Sequence, residues 1–176
     1  MTSENQSSPR TLTDDRHGAV ISDDGTYRYR LWRTWDTSKP VLAFVLLNPS
    51  TADATTDDPT LRRCRGYAEQ WGYGKVELVN LFALRSTDPD QLYEHDNPVG
   101  PENNQYLQDA CEDADKVIVA WGNHGTLDGR GDTVTELLDT DLYALDVTNQ
   151  EQPTHPLYQP RDTDLELFDS LNGEKT

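Results

Sequence analysis

Residues 41–51 read VLAFVLLNPST. The run from Val41 to Leu47 has no polar alternation, which marks a strand buried on both faces, the habit of a parallel sheet. Asn48-Pro49-Ser50-Thr51 then follow without transition. These are ordinary turn residues, yet ligand sites of open α/β sheets also lie at the carboxyl ends of strands. The turn is either a plain strand ending or one wall of a pocket, and the rest of the chain has to decide.

Working outward, three more strands of the same kind appear: KVELVNL (75–81), KVIVAW (116–121) and LYALD (142–146). Helical segments separate them. In DDPTLRRCRGYAEQWGYG (57–74), Asp58 suits an N-cap, Pro59 suits the first helical position, and Gly72 or Gly74 ends the helix. Leu61, Cys64, Ala68 and Trp71 recur at helical spacing, which makes Cys64 a core residue. ENNQYLQDACEDA (102–114) and DTVTELLD (132–139) read as two further helices. Ser86–Pro101 and GNHGTLDGRG (122–131) read as loops, and QPTHPLYQP (152–160) is too proline-rich for a regular element. Upstream, GAVISDDGTYRYRLWRTWD (18–36) is a hairpin turning at Asp24-Gly25, with alternation through Tyr27, Tyr29, Leu31 and Arg33. Trp32 and Trp35 fall on opposite faces of it.

This order predicts a three-layer α/β/α sandwich: a short, mainly parallel four-stranded sheet preceded by an N-terminal β-hairpin. Residues 1–16 are polar and pattern-free and are expected to be a disordered tail, with one α/β domain over residues 17–170. Right-handed crossovers place the strand ends on one rim. That rim would collect Asn48-Pro49-Ser50, Asn80, Trp121-Gly122-Asn123-His124 and His155-Pro156. A pocket wall is thus the better account of the turn.

Composition bounds the functions. There are 32 acidic against 15 basic residues, a net charge of −17, with 22 Asp, 10 Glu and four Lys. Such a balance ordinarily repels nucleic acid. An Asp-rich, Lys-poor chain also resembles proteins of salt-accumulating haloarchaea, where a Debye length of about 3 Å at molar salt removes that inference. With no apolar signal core or membrane span, a soluble, cytoplasmic protein is expected, with no obligate protein partner. Cys64 and Cys111 form no CxxC pair, and the four histidines have no metal-ligand spacing, so neither metal nor cofactor is expected.

Two resemblances follow from these residues. LLNPSTAD, DPTLRRC, VNLFALR, NPVGPENN, AWGNHG and HPLY, over residues 17 to about 160, resemble an uncharacterised family catalogued as domain of unknown function 1643. At motif level the chain is similar to the uracil-DNA glycosylase superfamily. There an acidic residue or Asn precedes Pro after the first strand (compare Asn48-Pro49-Ser50), and a second strand ends in Asn (Asn80). A third strand ends in Leu-Trp-Gly (Ala120-Trp121-Gly122), and a last motif reads His-Pro-Ser (His155-Pro156-Leu157). Leu157 departs from that pattern, DPTLRRC has no counterpart there, and the strongest uracil-excising form of the first motif is absent.

The resemblance implies roles. Asn48 would orient a water, Asn80 would read a base edge through its donor and acceptor, and His155 would stabilise the departing base. Phe82 or Trp121 would supply an aromatic platform. Pro49, Ser50, Asn123 and His124 would complete the pocket. Arg62 and Arg63, beside a helix N-terminus, suit a phosphate or carboxylate, and Asp58 is a candidate general base. The expected function is nucleobase recognition, with N-glycosidic hydrolysis in DNA or a nucleotide. The alternatives are a non-catalytic nucleotide or nucleic-acid binding module, and an unrelated hydrolase using Asp58 or Cys64.

Overall fold

The computed structural model describes residues 10–13 and 16–168. Its strands are β1 (Arg10–Thr13), β2 (His17–Ile21), β3 (Arg28–Thr34), β4 (Val41–Leu46), β5 (Lys75–Asn80), β6 (Lys116–Val119), β7 (Leu142–Ala144) and β8 (Glu166–Leu167). Its α-helices are α1 (Pro59–Gln70), α2 (Asp90–Glu94), α3 (Asn103–Asp113) and α4 (Arg130–Leu137). The fold is mixed α/β.

One eight-stranded sheet runs β1-β2-β3-β5-β4-β6-β7-β8. β5, β4, β6 and β7 pair parallel, while β1, β2, β3 and β8 join antiparallel. The expectation of a short four-stranded sheet with a separate hairpin is thereby corrected. The hairpin does not stand apart, because β3 pairs with β5 from Leu31↔Leu78 to Thr34↔Lys75 and extends the same sheet. Arg10–Thr13, inside the expected tail, adds a further edge strand to β2. The rest of that tail, and residues 169 and 170 of the expected domain, lie outside the described residues. β8 also went unread, since two residues carry no periodicity.

The continuous apolar runs have the expected cause. Leu42, Phe44, Leu46, Val76, Leu78 and Ile118 pack with Leu61, Cys64, Tyr67 and Ala68 of α1 on one face. Ala43, Val45, Val79, Val117 and Val119 pack with Leu107, Ala110 and Cys111 of α3 and Val134 of α4 on the other. Both faces are covered, so the runs are mainly apolar, and the buried Glu77 of β5 is held by ion pairs with Arg30 and Lys75. Helix α1 carries the expected punctuation: Asp58 caps it by accepting from the Leu61 N–H at 2.8 Å, Pro59 opens it, and Gly72 follows at φ +87°.

Topology also sets where a ligand would fit. β4 connects through α1 to β5 on one side, whereas β6 connects through α4 to β7 on the other. The chain thus leaves the carboxyl ends of adjacent β4 and β6 toward opposite faces, and such a reversal opens a crevice.

Among the described residues no helix is long and apolar enough to cross a membrane. The acidic surface yields a prediction about salt. Melting from low to multimolar KCl should rise by many degrees, because unscreened like charges oppose the compact state. A flat profile would remove the salt-adapted account of the composition.

Candidate functional site

A cleft of about 430 Å³ occupies that crevice. Leu46, Leu47, Asn48 and Ser50 contribute from β4 and its loop, and Asp58 and Thr60 from the start of α1. Trp121, Gly122, Asn123 and His124 follow β6, and His155, Leu157 and Tyr158 close the far side. Ser86, Thr87 and Pro89 come from the loop after β5, and Arg28 from the hairpin.

Asn48 is held by its own amide. Nδ2 donates to the carbonyls of Pro49 (3.1 Å), Leu84 (3.2 Å) and Ser86 (3.0 Å). The donor side is spent on fastening the loop after β4 to the loop after β5, a bond reinforced by Ser86 N–H to Pro49 O at 2.9 Å. Oδ1 is what Asn48 can offer a ligand, and it offers an acceptor in a fixed place.

His155 is oriented the opposite way. Its Nδ1 accepts from the Leu157 N–H at 3.1 Å, capping the 3-10 turn Pro156–Tyr158. Burial lowers its pKa, and Asp58 offsets part of that effect. The neutral ring with Nδ1 as acceptor carries its proton on Nε2, so it offers a donor. Arg63 fixes the same turn by donating to the carbonyls of Pro156 (3.1 Å) and Gln159 (2.6 Å).

The depressed pKa has a consequence for stability. The unfolded chain binds a proton near the ordinary value of about 6.5, while the folded chain resists it. Stability from this group is therefore complete above that value and lost as pH falls below it. His155→Asn keeps a side-chain acceptor for the cap but does not titrate. From about pH 7.5 to about pH 5, wild type should lose melting temperature relative to His155→Asn; a constant gap would contradict the assignment.

The loop from Ser50 to Asp58 is held from beneath by arginines of β3. Arg33, 1% exposed, donates to the carbonyls of Trp32, Asp53 and Thr56 and to Asp57. Arg28 donates from Nη1 to the Ala52 carbonyl at 3.0 Å. Asp58 spends both oxygens on backbone: Oδ1 on Leu61 N–H and Oδ2 on Ala52 N–H at 3.3 Å.

The structure thus brings Asn48, Ser50, Asp58, Trp121, Asn123, His124 and His155 around one cleft. Others of the expected set sit elsewhere. Asn80 is 1% exposed and does not line the cleft; it pairs with Leu46, and neither atom of its amide has a hydrogen-bond partner. Asn103 holds the strand end there by donating to the carbonyls of Asn80 and Leu81. Pro49 is buried beneath the loop, and Phe82 belongs to the core on the α3 face. Trp121 does border the cleft, but Gly125 and Gly131 abut its ring and its Nε1 donates to Gln152 at 3.0 Å, so it packs as core. His124 is exposed and its Nδ1 meets Tyr93 Oη at 3.0 Å, while Asn123 Oδ1 accepts from Thr148. Arg62 and Arg63 line a second cleft, on the outer side of α1 with Arg161. Cys64 is fully buried, and burial raises its thiol pKa well above the usual value, so it has neither access nor thiolate character for attack.

Arg28 is the residue that sequence reasoning missed. The hairpin register pairs Ile21 with Arg28 but Val20 with Arg30, leaving Tyr29 as an extra, bulged residue. Tyr29 stacks on Tyr106 of α3 and Arg30 pairs with Glu77, whereas Arg28 is sent to the α1 side and into the cleft. Strict alternation would have put it beside Arg30, and no local signal marks the bulge.

The sequence profile of the family described as Protein of unknown function (DUF1643) matches residues 28–157. The chain belongs to that family. The matched DUF1643 span begins at Arg28 and ends at Leu157, so it takes in all of the cleft lining but Tyr158. Among curated proteins and solved structures, none matches the chain.

Proposed function

We propose that this cleft binds a nucleobase and that its lining is arranged for glycosylase-like hydrolysis of an N-glycosidic bond. One observation carries the reading: the cleft presents a fixed acceptor and a fixed donor. Asn48 Oδ1 is left over from an amide tied to three carbonyls, and His155 Nε2–H is left over from a ring tied through Nδ1. An acceptor orients a water toward the anomeric carbon, and a donor receives the charge on the leaving base. The carbon–nitrogen bond breaks with its electron pair on the base, the water oxygen bonds to the sugar carbon, and the water proton ends on the departed base. Three of the strand-end motifs that resemble the uracil-DNA glycosylase superfamily border this one cleft.

Asp58 favours a second reading, a non-catalytic binding module on the same fold. It is the cleft's carboxylate, and both of its oxygens accept from backbone amides that hold the loop and the helix start. The test is a base-release assay at molar KCl. Its substrates are deoxyuridine, hypoxanthine and modified-base oligonucleotides, together with the matching free nucleotides. Released base supports hydrolysis; saturable base-dependent melting shifts without product support the module; the absence of both results discards both readings.

A further inference from the structure

In a chain with two acidic residues for each basic one, a buried arginine without a carboxylate contact is unexpected. Arg28 is 2% exposed and forms no ion pair among the described residues. Its Nη1 holds the Ala52 carbonyl, and its Nε is buried with no hydrogen-bond partner. Burial brings its pKa down to about 10, with Asp58 and Asp53 opposing that shift and Arg85 and Arg33 adding to it. It therefore stays charged at neutral pH. Burying a charge without pairing it is costly. The bulge at Tyr29 nevertheless directs this guanidinium into the cleft.

A second unpartnered group lies beside the same floor. Asn80 is on the face of β5 that carries Leu78, pairs with Leu46, and has both amide atoms buried and unbonded. Leu46 and Leu78 themselves line the cleft. Buried polar groups are normally satisfied, and here two unsatisfied ones adjoin a single cavity.

We infer that Arg28 receives the anionic group of the ligand, and that the ligand is a free nucleoside monophosphate rather than a nucleic-acid strand. The nucleoside half of this inference rests on the reading proposed above. The phosphate half rests on Arg28, a planar guanidinium suited to an oxyanion. A strand would need an exposed basic track for its successive phosphates. The described lysines do not provide one, since Lys75 and Lys116 open β5 and β6 and Lys39 precedes β4, all at the opposite rim of the sheet. Arg62, Arg63 and Arg161 gather in the separate cleft on the outer side of α1. Exposed Asp57 and Asp88 adjoin the cleft-lining residues instead. A single phosphate on one desolvated arginine avoids that surface.

The experiment is calorimetric titration of the full chain at constant high ionic strength. The probes are uridine, uridine 5′-monophosphate, inosine, inosine 5′-monophosphate, ribose 5-phosphate, inorganic phosphate and a short single-stranded oligonucleotide. A charge-assisted contact should make a monophosphate bind about tenfold or more tighter than its nucleoside. Arg28→Lys should erode that preference, and Arg28→Met should abolish it while nucleoside binding persists. Should the variants fail to fold, the arginine Nε–Hε spectrum of wild type decides. A buried resonance shifting with monophosphate but not with nucleoside supports the inference; one unmoved by phosphate, as expected if only a water satisfies it, overturns it. Equal affinity for nucleoside and monophosphate overturns the Arg28 assignment and leaves the nucleobase reading intact. Base-independent binding of ribose 5-phosphate that requires Arg28 keeps the assignment and overturns the nucleobase reading. Tighter binding of the oligonucleotide than of either monophosphate overturns the free-nucleotide claim.

Discussion

Arg33→Met protein is expected to melt roughly 6–12 °C below wild type. The guanidinium is 1% exposed and holds three carbonyls and Asp57, all within or beside the loop that leads from β4 to α1. Asp57 is itself 38% exposed, so the ionic contact is screened and contributes little. The cost comes from the carbonyls of Asp53 and Thr56, which would lose a charged donor. Taking the lower end of the range for hydrogen bonds to a charged group, about 1.5 kcal/mol for each carbonyl because the bond to Thr56 is long at 3.4 Å, the sum is about 3 kcal/mol. At about 2–4 °C per kcal/mol for a chain of this size, that gives the stated fall. Thermal unfolding at fixed KCl measures it. A shift of a degree or less would mean that the loop is held by Asp58 and the backbone alone.

The second large effect is on turnover, provided base release is detected. Asn48→Ala should reduce the single-turnover rate by at least about 100-fold, comparable to losing one transition-state hydrogen bond in other enzymes. It should also lower stability, because three carbonyls lose their donor. His155→Ala should cost about 100- to 1,000-fold in rate with a smaller loss of affinity, since the charge on the base appears only as the bond breaks. Asn48→Asp separates the two duties of Asn48. It keeps an acceptor but turns an oxygen toward the carbonyls, so it should melt lower than Asn48→Ala. Kinetics, equilibrium binding and melting of each variant check this. Wild-type rates in both Asn48→Ala and His155→Ala would place the chemistry elsewhere.

Much of the fold was legible because burial writes itself into composition. β4, β5 and β6 lie between helices on both faces, so their runs are mainly apolar, with Glu77 buried as the ion partner of Arg30 and Lys75. Asp58, Pro59 and Gly72 marked the ends of α1 chemically. The convergence of Asn48, Asn123, His124 and His155 followed from strand order alone. What stayed hidden depends on long-range geometry. A one-residue bulge reverses the face of Arg28, and sequence carries no trace of it. Phe82 resembled a platform but turns into the α3 core, and Arg62 and Arg63 share a helix with the cleft-lining Thr60 yet face its far side. β1 and β8 are edge strands whose short runs have no readable pattern.

The central claim is that the nucleobase sits between the carboxyl ends of β4 and β6. Backbone amide resonances of the wild-type chain, titrated with uridine and inosine 5′-monophosphates, test it most directly. The account predicts saturable shifts centred on Asn48, Ser50, Thr60, Gly122, Asn123 and the turn beginning at His155. Shifts centred instead on Arg62, Gly66, Gln70 and Arg161, which line the cleft on the outer side of α1, would contradict it.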